Sequence, residues 1–226
     1  MRFALALLLA LPMSPPDHLG GDRLLQLFES RYNSAREMRA KFLERYYENG
    51  KQVRAEAGEA YFERPGKMRW DYESPEKNTF LVDGKFVWFY SSADHTVTRM
   101  PTNQSVDWRT PLAFLTSHLK LSRICRTLKL DRETVPAKPV DEVYACELSG
   151  PSGAPREKGT VASFEISPEG ELVRIVMPAE GGITLEFSFG GWIFNPRLEK
   201  GLFQFTPPSD AVIVDGLLPE TPGMRQ

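Results

Sequence analysis

Phe62-Glu63-Arg64-Pro65-Gly66-Lys67-Met68-Arg69-Trp70-Asp71-Tyr72-Glu73-Ser74-Pro75 is two extended segments joined at an Arg-Pro-Gly-Lys corner. Proline fixes φ and lacks an N–H, and glycine tolerates positive φ, so the corner specifies a turn rather than a helix. Beyond Pro75 the chain reaches an Asp83-Gly84 turn and the apolar run Phe86-Val87-Trp88-Phe89-Tyr90. Aromatic-rich runs bounded by such turns predict strands that line a core or a cavity.

The same logic extends in both directions. Upstream, Leu24, Leu25, Leu27, Phe28, Tyr32 and Ala35 recur at helical spacing and predict a helix over 22–36. From Met38 the period becomes two: Met38, Ala40 and Phe42 alternate with Arg39 and Lys41, and Asn49-Gly50 signals a hairpin back into a strand over 53–63. Downstream strands are expected over 68–73, 79–82, 86–91, 96–100, 121–130, 142–148, 161–167, 172–177, 183–189 and 202–205. Thr110-Pro111 reads as the cap and first position of a short helix reaching Leu119, with Leu112, Leu115 and Leu119 as its apolar stripe. The fold class is therefore mainly β, an unclosed antiparallel barrel of about eleven strands with a small helical lid; a two-sheet sandwich is the alternative.

Phe86–Tyr90 and the Phe187-Ser188-Phe189 run are apolar on both faces. Two accounts fit: helices cover one face and loops the other, or an apolar wall encloses a lipid. Composition narrows the function classes. With 28 basic and 30 acidic side chains the net charge is -2, which gives no electrostatic case for nucleic acid. His18, His95 and His118 lie in unrelated contexts, and the sequence holds no G-x-S-x-G elbow, H-E-x-x-H pair or phosphate-binding glycine loop. The expectation is a binding protein rather than an enzyme, with no cofactor and no metal.

Cys125 and Cys146 lie in adjacent strand-like runs, either as a cross-strand disulfide or as two buried thiols. Residues 1–14 read as a signal peptide, one positive charge followed by a short apolar run, with cleavage after Ala10 or near Ser14; an ordinary apolar N-terminus is the other reading. The main domain is expected over 19–214, with a tail over 215–226.

The run Gly58-Glu59-Ala60-Tyr61-Phe62-Glu63-Arg64-Pro65-Gly66-Lys67-Met68-Arg69-Trp70, then Leu81-Val82-Asp83-Gly84-Lys85-Phe86-Val87-Trp88, closely resembles the LolA family. The resemblance continues through Thr110-Pro111-Leu112, Asn195 and Phe203-Gln204-Phe205-Thr206-Pro207-Pro208. Members are periplasmic carriers that move lipoproteins from the inner to the outer membrane, built as an unclosed β-barrel with a helical lid. The resemblance favours the lipid account of the apolar wall: acyl chains cannot cross water unaided when each exposed CH₂ costs about 0.8 kcal/mol. It implies that Arg64 latches the lid and governs cargo release, that Met68 sits at the cavity mouth, and that Trp70, Phe86, Trp88, Tyr90, Leu112 and Leu115 line the wall. The implied partners are lipoprotein acyl chains, an inner-membrane ABC-type lipoprotein-releasing transporter and an outer-membrane acceptor of unknown identity. The protein is expected to be a periplasmic monomer. A LolA-like carrier of another envelope lipid or glycolipid, or a lipoprotein-sensing scaffold, are the alternatives. The chain departs from the family pattern at Glu44, where many relatives have glutamine, in its long 131–141 connection, and in its cysteine pair.

Overall fold

Two-residue alternation carries most of this chain into strands. A computed structural model describes residues 21–104, 110–148 and 161–216. The expected signal peptide and the tail from 217 onward lie outside the described residues. Helix α1 (Gly21–Ser34) precedes β1 (Glu37–Glu48), β2 (Lys51–Glu63), β3 (Lys67–Ser74), β4 (Thr79–Val82), β5 (Phe86–Ser91) and β6 (Thr96–Pro101). A 3-10 turn, Thr110–Thr116, and the one-turn helix α2 (Leu121–Ile124) follow. The chain then forms β7 (Cys125–Leu130), β8 (Glu142–Leu148), β9 (Val161–Ile166), β10 (Leu172–Pro178), β11 (Ile183–Phe194) and β12 (Val212–Asp215).

All twelve strands join one sheet in the order β12-β6-β5-β4-β3-β2-β1-β11-β10-β9-β8-β7. Two antiparallel meanders, β1–β6 and β7–β11, are joined where β11 pairs with β1. Strands β12 and β7 end the order, so the sheet does not close. The sandwich alternative is excluded. The Asn49-Gly50 hairpin forms with both residues at positive φ (49° and 79°), the conformation a two-residue hairpin turn needs.

Register fixes which residues share a face. Across β1–β6, Met38, Phe62, Met68, Val82, Val87 and Met100 lie opposite one another in one row. The next row is Ala40, Ala60, Trp70, Phe80, Phe89 and Thr98. Both rows are buried, and with Phe187 of β11, Ile175 of β10 and Phe164 of β9 they form the single large core on one face of the sheet. Helix α1 contributes Leu24, Phe28 and Tyr32 to that core, and the 110–121 segment contributes Leu112, Phe114, Leu115, Leu119 and Leu121.

Several elements differ from the sequence reading. The segment 202–205 is a turn, with Gln204 N–H bonded to the carbonyl of Gly201 at 2.8 Å. The twelfth strand is instead Val212–Asp215, which pairs parallel with β6. The 110–119 helix is a 3-10 turn ending at Thr116, and the strand expected over 121–130 begins with the short helix α2. Strand β11 runs on past Phe189 to Phe194, through an irregularity opposite Arg39–Lys41 that takes up Gly191 and Trp192.

At Gly58 the backbone of β3 approaches β2 closely. A Cβ there would lie 2.0 Å from the Asp71 carbonyl oxygen, a backbone atom that can move only by shifting β3. Gly58→Ala is therefore expected to cost about 1–3 kcal/mol in a denaturant titration. Gly190→Ala, where nothing lies within 4 Å of the added carbon, is expected to stay within about 0.5 kcal/mol of wild type. Equal midpoints for the two variants would contradict the packing described.

Candidate functional site: a tethered lid over an apolar sheet face

The corner between β2 and β3 is Arg64-Pro65-Gly66, with a cis Arg64–Pro65 peptide and Gly66 at φ 71°. It places Arg64 against the lid. The Arg64 Nε and Nη2 donate to the Leu115 carbonyl at 3.2 and 3.1 Å, and Nη1 donates to Asn33 Oδ1 at 3.2 Å. Beside it, the Gly66 N–H donates to the Thr116 carbonyl at 3.0 Å. Burial lowers the guanidinium pKa below its usual value, yet arginine stays charged.

Asn33, at the end of α1, completes the junction. Its Nδ2 donates to the Leu119 carbonyl at 2.7 Å, while its Oδ1 accepts the Leu119 N–H at 2.8 Å. One turn earlier Glu29 Oε1 accepts the Leu121 N–H at 2.6 Å. These bonds explain why 110–119 is not α-helical. An α-helix would give the Leu115 carbonyl to the Leu119 N–H. Here Arg64 takes the carbonyl and Asn33 takes the N–H. Tertiary partners replace the helical bonds, and the segment lies flat over the sheet.

The lid is fixed at its far side as well. Phe114 reaches Phe164 of β9, with ring centroids 5.8 Å apart. Immediately after α2, Cys125 forms a disulfide with Cys146 of β8. Both cysteines are buried in the same core as the lid leucines. In the chain-entropy account, closing a loop of this size removes on the order of 3 kcal/mol of unfolded-state freedom.

Beneath the lid the wall is aromatic. Trp70 is fully buried, and its ring lies 4.8 Å from Phe42, 5.8 Å from Phe62, 5.7 Å from Phe187 and 6.0 Å from Phe189. Small residues make this cluster fit: Ala60 faces Trp70 across the strands, and Ala40 faces Ala60. Toward the Asn49-Gly50 end the wall turns polar. Glu44 and Glu56 are opposite each other, both buried; Tyr72 Oη donates to Glu44 Oε2 at 2.9 Å, and Arg54 pairs with Glu56 at 2.6 Å.

The structure brings together Arg64, Met68, Trp70, Leu112 and Leu115. Met68, which the resemblance implies at the cavity mouth, is buried. Phe86, Trp88 and Tyr90 do not belong with them, which corrects their assignment to the cavity wall. Val87 pairs with Val82 and Phe89 with Phe80 on the lid-facing side, so alternation turns Phe86, Trp88 and Tyr90 to the opposite face. There Trp88 stacks on Phe205 at 5.3 Å and donates from Nε1 to Asp83 Oδ2 at 2.9 Å. Burial tends to raise the Asp83 pKa, but hydrogen bonds from the Phe86 N–H, Trp88 and the Lys85 N–H hold it below the usual carboxylate range. Arg99 lies over both Phe86 and Trp88. For this strand the account of loops covering the second face is the one observed.

Asn33 and Glu29 are the site residues that the sequence reading missed. Both are polar side chains on the last turns of an amphipathic helix, and in sequence nothing separates them from ordinary surface positions. Replacing Asn33 by Ala removes the three bonds it makes. Amide exchange across 114–121 is then expected to accelerate by about tenfold, while β1 and β2 stay protected. Hydrogen–deuterium exchange read by mass spectrometry checks this, and an even change over the whole sheet would contradict a local tether.

Comparison with known proteins agrees with this architecture. The family described as "Outer membrane lipoprotein carrier protein LolA" matches residues 33–206. An outer-membrane lipoprotein carrier protein of Neisseria meningitidis serogroup C is 32% identical over 145 residues, 64% of this chain and 65% of that protein. The chain thus spans about two thirds of that relative's length. A protein of the same description from Nitrosomonas europaea is 28% identical over 155 residues, 67% of this chain and 68% of its own. Among solved structures, an uncharacterized conserved protein from Thermus thermophilus shares the fold, with a TM-score of 0.53 at 16% identity over 86% of this chain and 98% of that one.

Proposed function

The chain belongs to the LolA family, and from that premise we propose that it is a periplasmic carrier that holds the acyl chains of lipoproteins against its apolar sheet face on the way from the inner to the outer membrane. The observation that carries the reading is the junction at Arg64, where a charged side chain holds a lid closed over an aromatic wall through neutral oxygens only, the Leu115 carbonyl and the Asn33 amide. Its role is binding and transport rather than catalysis. An inner-membrane ABC-type transporter supplies the cargo, and an acceptor at the outer membrane takes it. No helix among the described residues is long and apolar enough to cross a membrane.

The mechanism follows from competition between lid and cargo. Acyl chains and the lid leucines Leu112 and Leu115 compete for the same apolar face. In the free protein the lid occupies that face; with cargo bound, the lid gives way and the Arg64 bonds open. Closing the lid again returns those bonds, so the latch lowers net affinity and favours release. Hydrogen bonds to a charged group contribute roughly 1.5–3 kcal/mol each in a buried setting, enough to shift the balance between holding and handing over.

Arg64→Leu is expected to load normally and to hold cargo at least about tenfold more tightly, because the closed free state has lost its latch. Inner-membrane vesicles carrying radiolabelled lipoprotein provide the test. Wild type should bring lipoprotein into a water-soluble complex and pass it to outer membranes, whereas the variant should form the complex and keep it. Unimpaired transfer by Arg64→Leu would sink the latch. Native mass spectrometry of the purified protein tests the cargo, and free lipid in place of lipoprotein would overturn that part of the reading.

A further inference from the structure

One polar atom in the aromatic wall stands without a partner. The indole Nε1–H of Trp70 is buried and meets no acceptor among the described residues. The other two tryptophans described are satisfied: Trp192 Nε1 donates to the Leu172 carbonyl at 2.8 Å and Trp88 Nε1 to Asp83 Oδ2 at 2.9 Å. Folded proteins pair buried N–H groups almost without exception, because an unmet donor in an apolar setting is costly. Phenylalanine would fill the same site without that cost. An unmet donor therefore points to an acceptor that arrives with a ligand.

Position narrows the acceptor. Trp70 is in the second row of the lid-facing side, two residues along β3 from Met68, so it lies about 7 Å below the lid-end row. Its neighbours Phe42, Phe62, Phe187 and Phe189 are hydrocarbon rings, which favours an uncharged ligand. An acyl chain has one strong neutral acceptor, the carbonyl that joins it to its headgroup. That carbonyl enters last, behind the chain, and stays near the lid.

We propose that Trp70 is the polar contact for cargo in this wall, its indole N–H donating to the ester or amide carbonyl of a bound acyl group. The assignment rests on the carrier reading above and adds to it a preference for acyl over alkyl chains. The indole selects a carbonyl-bearing chain, while the surrounding rings accept any hydrocarbon.

Dioctanoylglycerol and its ether analogue dioctyl glycerol differ in their carbonyls and otherwise nearly match in shape. Wild type is expected to bind the ester about fivefold more tightly than the ether, the increment of one net hydrogen bond. In Trp70→Phe that preference of ester over ether should vanish, whatever the absolute affinities. The indole resonance of Trp70 in a ¹⁵N–¹H spectrum, assigned in the wild-type protein through its contacts with the Phe42 and Phe187 rings, reports on that protein directly, so a poorly folded variant does not decide the matter. It should move downfield with the ester and much less with the ether. Equal affinities of wild type for the two probes, or equal shifts of that resonance, overturn the assignment and leave the carrier reading standing. Failure of wild type to bind either probe overturns both.

Discussion

The lid stays on the sheet because two side chains take over bonds that a helix would make for itself. Arg64 occupies the Leu115 carbonyl, and Asn33 pairs with both backbone groups of Leu119. Had 110–119 closed its own i→i−4 bonds, it would be a self-sufficient cylinder with no polar reason to remain at the Arg64 corner. Instead the carbonyls of Leu115 and Thr116 and both backbone groups of Leu119 find their partners on α1 and the β2–β3 turn. Lid order and lid docking are thereby one event. The disulfide at Cys125 adds a covalent stop at the other end, so a displaced lid would hinge about that point rather than leave as a whole segment.

An unclosed sheet makes this arrangement necessary. Strands β12 and β7 end the sheet without meeting, and the core-facing rows of β1–β6 would be open to water without a cover. Helix α1 covers the end near β10 and β11, where Tyr32 Oη accepts the Leu172 N–H at 2.9 Å and the Tyr32 ring meets Trp192. The lid segment covers the rest. Of the two, α1 is the more firmly bound: it packs its aromatic residues deep and adds the Arg31–Glu171 pair. The 110–121 segment contributes a few leucines and backbone bonds to side chains.

Most strands were legible because their turns and alternation agree. Asn49-Gly50, Asp83-Gly84 and Arg64-Pro65-Gly66 each allow only a tight reversal, and the runs between them alternate cleanly. The phase of β5 was not legible. Both of its faces are apolar, so alternation says that Trp88 and Phe89 point apart without saying which faces the lid. Only the pairing of Phe89 with Phe80 decides it. The 3-10 turn was not legible either, since its sequence suits a helix and the donors that redirect it lie far away in the chain. Strand β12 escaped for a related reason: Val212–Asp215 is a strand through its parallel partner β6, while Phe203 and Phe205 use their apolar character to pack on the outer face.

The polar end of the wall sets where an apolar guest can lie. From Met38 to Glu44 is six residues, about 20 Å along the strand. Over that span β1 presents Met38, Ala40 and Phe42 to the core, and then the opposed Glu44 and Glu56 with their Tyr72 and Arg54 partners. Hydrocarbon placed against those carboxyl groups would displace polar neighbours and gain nothing from the contact. On the carrier reading, guest chains would run sideways toward Phe187, Ile175 and Phe164, beneath Phe114 of the lid. That direction leads away from Arg64 and toward the disulfide-anchored end. Because the lid is anchored at that end, a chain lying beneath it would raise the opposite end, and the Arg64 bonds would be the ones that open.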